Sequence, residues 1–279
     1  MKDVLIILFV LCFVYTQGLS HGDLDQRIIT VSHAIEDDPQ NEELYFQRGK
    51  LYYQHEEYSK GIVDFNAAIE KGYQSEQANL YLSKSYYELK DYNQAETQIH
   101  IFFTKNPEHV LAHNLYGKIL NKQNGFSKSA AEFQYVIDHS IKALPENYIN
   151  AANSWVNQKS TAGFERAVSI IKKGLDKEGS LISLQQYLIK ILVDAQEYDH
   201  AIEIQKTIIS KKNRKESAYY ALFEIANAKG DRDLAFYALK NAQSEWKQLP
   251  NRIKRNSAMI TLKLDIEINI GNHAKTNVR

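Results

Sequence analysis

Residues 49–65 read GKLYYQHEEYSKGIVDF, and the same order of residue types returns at 83–99 and at 117–133, thirty-four residues on each time. Small Gly49, Ser83 and Gly117 align, as do large Tyr52, Tyr86 and Leu120. Aromatic Tyr58, Tyr92 and Phe126 come next, then small Gly61, Ala95 and Ser129, then large Phe65, Ile99 and Phe133. Self-similarity at a fixed period of this length marks a stack of identical supersecondary units.

Within one period the apolar spacing is helical. Tyr45, Gly49 and Tyr52 fall at i, i+4, i+7, and Gly61, Phe65 and Ala68 repeat that spacing on a second helix. A small residue in each helix lets the two axes approach, and the large ones fill the gaps beside them. One helix pair cannot cover both of its apolar faces, so each is stable only against its neighbours.

The order of large, small and large residues over two helices resembles the tetratricopeptide repeat (TPR). Ala167, Ala201 and Ala235 keep the same interval after a four-residue slip that the sequence places around Ala143 to Asn147. Six repeats follow, roughly 42–75, 76–109, 110–143, 148–181, 182–215 and 216–249. Pro107 and Pro39 stand at the family's inter-repeat proline position, which Tyr73 and Ile141 fill elsewhere. The last three repeats depart from the pattern, with Trp155, Ile189 and Phe223 at the usual small position. The resemblance implies an all-α superhelical solenoid of about six helix-turn-helix repeats with capping helices at both ends. In domain terms, residues 42–143 hold repeats 1–3 and 144–249 the TPR-like repeats 4–6.

The ends depart from the pattern. Residues 1–20 combine Lys2, a twelve-residue apolar run from Val4 to Tyr15, and small residues at Gly18 and Ser20, the layout of a secretory signal peptide. The sole cysteine, Cys12, lies inside that run, so removal of the signal leaves no thiol for a disulfide or a metal. Export to the periplasm, cell envelope or exterior is therefore expected, with no membrane span in the mature chain. Residues 21–41 are expected to contribute an N-terminal capping helix, with Leu24, Val31 and Ala34 extending the comb backwards. Residues 250–279 form the C-terminal cap. The stretch from Pro250 to Met259 fits the first helix of a seventh pair, but LKLDIEINI at 262–270 alternates like a half-buried strand. An isolated strand in a helical stack lacks a hydrogen-bonding partner, which favours a capping helix. A strand there would invite pairing with another chain through its edge.

Lys and Arg together equal Asp and Glu at 34 each, so charge gives no case for nucleic acid. No phosphate loop, nucleophile elbow or metal-ligand motif is present, and no catalytic residue, metal or cofactor is expected. His109 and His113 share a helical face, but two ligands fall short of the three or four a metal site needs. The tyrosines at 45, 52, 58, 86 and 92 occupy packing positions.

A second comb runs about 100 degrees around the first helix of each pair. It carries Phe46, Lys50 and Tyr53, then Leu80, Lys84 and Tyr87, then Asn114, Lys118 and Asn121. In the family these positions line the concave groove where peptides lie. The resemblance therefore implies a partner-binding groove formed by Phe46, Lys50, Tyr53, Tyr81, Lys84, Tyr87 and Lys118, suited to a protein segment with carboxylates and an apolar anchor. The family's chaperone-binding clamp does not match, since Phe46, Tyr81, Leu111 and Leu115 stand where it needs polar and basic residues.

Overall fold

A computed structural model describes residues 23–179 and 181–276, all of whose regular structure is helical. The expected signal peptide and Cys12 lie outside the described residues. Helix α1 covers residues 23–37. Six helix pairs follow: α2 (Glu42–Gln54) with α3 (Tyr58–Glu70), α4 (Gln77–Glu88) with α5 (Tyr92–Phe103), and α6 (Val110–Lys122) with α7 (Phe126–His139), then α8 (Pro145–Val156) with α9 (Thr161–Glu178), α10 (Ile182–Asp194) with α11 (Tyr198–Lys211), and α12 (Glu216–Lys229) with α13 (Arg232–Gln248). A single turn, α14 (Asn251–Lys254), and a long helix, α15 (Ser257–Thr276), close the chain. The described residues through Ile141 form one compact unit and those from Lys142 a second.

Local chemistry sets the boundaries. Asp91, Ser160 and Asp231 cap α5, α9 and α13, each accepting a hydrogen bond from a backbone N–H three residues on. His109 does the same for α6 through Nδ1, accepting from the Ala112 N–H at 3.1 Å. Pro145 opens α8, where its missing donor is not needed. Each turn inside a pair passes through one left-handed residue: Glu56, Lys90, Asn124, Lys159, Gln196 and Gly230. Gly230 alone among them is a glycine.

In the first unit the small residues of the comb sit at the helix crossings. A Cβ on Gly49 would stand 2.6 Å from the Phe65 ring, and one on Gly61 3.2 Å from the Gly49 carbonyl oxygen. The other two crossings are closed by hydrogen bonds. The Ser83 hydroxyl donates to the Ala95 carbonyl at 2.8 Å, and that of Ser129 to the Gly117 carbonyl at 2.8 Å. Phe65, Ile99 and Phe133 fill the equivalent gap in successive pairs, at most 2% exposed. The aligned tyrosines pack beside this core as half-buried residues.

Two expectations need correction. The slip does not lie at Ala143–Asn147. The second helices begin at 58, 92, 126, 161, 198 and 232, so the interval is 34 or 35 until α9 and 37 across it. The left-handed turn residues show the same intervals. Helix α9 has 18 residues where α3, α5, α7 and α11 have 12 to 14; among the second helices only α13, with 17, approaches it. The insertion is therefore about one extra turn of helix, and the close approach of the fourth pair falls at Gly163. A Cβ on Gly163 would come within 2.5 Å of the Trp155 carbonyl oxygen.

The second correction concerns the C-terminal end. Residues 250–259 do not form one helix: α14 lasts four residues and α15 starts at Ser257. The alternating stretch 262–270 lies wholly within α15. Leu262 and Ile266 are buried against Ala242, with Tyr219, Tyr220, Trp246, Met259 and Ile270 packed around them. The Trp246 Nε1–H donates to the Met259 carbonyl at 2.9 Å and ties the helix to α13.

Candidate partner-binding groove

The first helices of the N-terminal unit, α2, α4 and α6, carry the second comb. Tyr81 is its centre. Its ring meets Phe46 and Tyr53 edge to face, at centroid separations of 5.8 and 5.7 Å, and Phe65 at 5.4 Å. Lys84 reaches over the Tyr81 ring with Nζ 4.7 Å from the centroid, and Lys50 over Phe46 at 4.6 Å. Five of the seven candidate residues thus form one aromatic cluster topped by two ammonium groups.

The cluster has a floor and a rim. Phe46 is 5% exposed and stacked on Tyr73 at 4.4 Å, so it supports Lys50 from below. Tyr53, Tyr81, Lys50 and Lys84 are half-buried and form the accessible surface. Tyr87 packs with Tyr92 at 5.8 Å in the next cluster along, and Lys118 lies further on, on α6, engaged in an intramolecular interaction of its own.

Lys84 is electrostatically unusual. Burial alone holds its ammonium below the ordinary lysine value. No carboxylate forms an ion pair with Lys84 or Lys50 among the described residues. Burial also pushes the Tyr53 phenol up to about 12, so the hydroxyl stays neutral beside them.

Beside this cluster α1 and α2 enclose a pocket of about 520 Å³, lined by Arg27, Thr30 and Val31 from α1, Gln47, Lys50, Leu51 and Gln54 from α2, and Tyr81 from α4. The α1 residues were not legible as site residues. Their one signal in the sequence is that Arg27, Thr30 and Val31 share a helical face.

Sequence comparison finds no matching family model and no matching curated protein. Solved structures do match. The C-terminal part of a TPR repeat-containing protein from Cytophaga hutchinsonii aligns with a TM-score of 0.66 at 12% identity, over 87% of this chain and 95% of that one. The fold is that of the tetratricopeptide repeat. A tetratricopeptide repeat protein from Parabacteroides merdae gives a TM-score of 0.57 at 13% identity, over 88% of this chain and 94% of that one. PilW, a type IV pilus biogenesis factor, gives 0.53 at 17% identity, over 79% and 97%.

The second unit carries TPR-type helix pairs with a different surface. Between α9 and α11 lies a pocket of about 400 Å³ with a floor of Phe164, Val168, Leu192 and Ile204. Glu165, Lys172, Glu197, His200 and Glu203 stand around it.

The two histidines that share a face of α6 are both committed to structure. His109 caps the helix. His113 lies between the rings of Phe103 and Tyr135, at 4.7 and 3.9 Å, with Nδ1 2.6 Å from Glu132 Oε2 and Nε2 2.7 Å from the Pro107 carbonyl oxygen.

Proposed function

We propose that this protein is an exported, non-enzymatic interaction module that holds a segment of a partner protein in the groove of its N-terminal unit. The segment is extended and carries at least one carboxylate next to an apolar or aromatic side chain. The observation behind this reading is Lys84: a half-buried ammonium over an aromatic ring, desolvated and without an acidic partner among the described residues. Such a group is costly to keep in the free protein and is relieved when a carboxylate arrives. Lys50 offers a second cation beside it, and Tyr53 and Tyr81 supply the amphipathic contact area that carries most binding energy at interfaces. Export rests on the layout of residues 1–20.

The test is capture of partners from the host's envelope extract by the protein and by a Lys50→Glu/Lys84→Glu double variant. A partner retained by the first at low salt and lost by the second supports the reading. A partner bound equally by both contradicts it.

One observation favours a second reading, that of a small-molecule or glycan carrier or an accessory subunit of an exported enzyme. The pocket between α9 and α11 has an apolar floor and polar rim, and its volume lies within the range of ligand sites. Replacement of Val168 by Trp fills it. Loss of ligand binding on that change, with no effect of the Lys50/Lys84 reversal, would favour this second reading.

A further inference from the structure

Helix α15 is apolar on two opposite faces. Leu262 and Ile266 point into the fold. Ile260, Leu264 and Ile268, spaced four apart, point away from it at 47%, 51% and 59% exposure. A helix with apolar stripes on two opposite faces expects cover on both of them.

The outward stripe is a palindrome. Ser257, Ile260, Leu264, Ile268 and Gly271 follow one another at intervals of three, four, four and three. Reversed end for end, the order of residue types is the same: small, Ile, Leu, Ile, small. We infer that α15 docks antiparallel on α15 of a second copy of this chain, about a two-fold axis through Leu264.

A two-fold interface must be complementary to itself, and this face is. Leu264 meets its own counterpart on the axis. Ile260 packs against Ile268 of the second copy, and Ser257 against its Gly271. Packing among the described residues does not require Gly271, since a Cβ added there meets nothing within 4 Å. A mid-helix glycine costs roughly 0.5–1 kcal/mol relative to alanine, and close approach of a second backbone accounts for it. Charge agrees along one flank. Lys263 and Glu267 pair within the helix at 3.6 Å. Antiparallel docking brings Lys263 beside Glu267 of the second copy, and the reverse, so that the four charges alternate in sign.

A single helix pair lies at the small end of specific interfaces, below about 1,200 Å², so the dimer is expected to form in the micromolar range. The inference is independent of the N-terminal groove, and neither variant below touches a groove residue.

The test is sedimentation velocity on the full chain from nanomolar to submillimolar concentration. The expected result is a reversible monomer–dimer equilibrium that Leu264→Lys abolishes without loss of helical circular dichroism. Gly271→Leu gives a second check. It fills an open helical position, so the monomer should melt higher, yet it obstructs Ser257 of the second copy and should weaken the dimer at least tenfold. A chain that stays monomeric throughout, or a dimer indifferent to both variants, overturns the inference and leaves the stripe to a different partner.

Discussion

The guanidinium of Arg48 forks onto the carboxylate of Asp64, Nε to Oδ2 at 2.7 Å and Nη2 to Oδ1 at 2.8 Å, while Nη1 reaches the Ser32 hydroxyl at 3.1 Å. One side chain thereby ties α1, α2 and α3 together beneath the proposed groove. Asp64 is only 3% exposed. Arg48→Met leaves that carboxylate buried without its partner and is expected to cost about 3 kcal/mol in urea unfolding. Adding Asp64→Leu to it should recover most of the loss. A pair at the surface behaves differently: Lys60→Ala, which removes an exposed contact with Glu57, should leave the unfolding midpoint unchanged.

The helix crossings predict a contrast among glycines. Gly163→Ala drives a methyl against the backbone carbonyl of Trp155, and Gly49→Ala drives one against the buried Phe65 ring. Each should destabilise by about 1–3 kcal/mol, with Gly163 the worse because a backbone atom yields less than a ring. Paired thermal and urea melts check the order.

The intra-repeat turns predict gains in stability. Glu56 and Lys90 adopt φ of 62° and 64°, a region in which a side chain is strained. Glycine at either position is expected to add about 0.5 kcal/mol, the relief of strain exceeding the entropy that glycine adds to the unfolded chain. Equal or lower stability in both variants would show that the side chains contribute contacts that outweigh the strain.

Burial pushes the phenols of Tyr53, Tyr116 and Tyr187 up to about 12. The unfolded chain deprotonates its tyrosines near about 10, so between these values the folded state holds more protons. Stability is fully present below about pH 10 and falls as pH rises towards 12. Tyr53→Phe and Tyr187→Phe should each flatten that decline in denaturant titrations, with little effect at neutral pH.

The repeat was legible because packing demands it. Small residues at helix crossings and large residues in the gaps leave a type pattern that survives wide variation in sequence. The slip was misplaced because a full extra turn of α9 returns its side chains nearly to the same face, so the comb resumes without a visible break. The left-handed turns left no trace, since five of the six carry Glu, Lys, Asn or Gln instead of glycine. The alternation at 262–270 had the period of a strand yet forms two helical stripes interleaved. Residues two apart on a helix lie about 200 degrees around the axis from each other, so every second apolar residue falls on the opposite face. At the groove, the lysines and tyrosines could be placed by register. The burial of Phe46 could not, because it depends on Tyr73 folding back over it from the next turn. Nor could Arg27 and Thr30, because α1 lies outside the repeat whose register identified the other positions.

The central claim is that Lys50 and Lys84 await a carboxylate. Selection of a random-peptide display library on the immobilised protein tests it most directly, with the Lys50→Glu/Lys84→Glu variant as counter-selection. The account predicts enrichment of extended peptides pairing Asp, Glu or a free C-terminus with an aromatic or branched apolar residue, lost on the variant and weakened by salt. Enrichment without acidic residues, or acidic peptides retained equally by the variant, would contradict it.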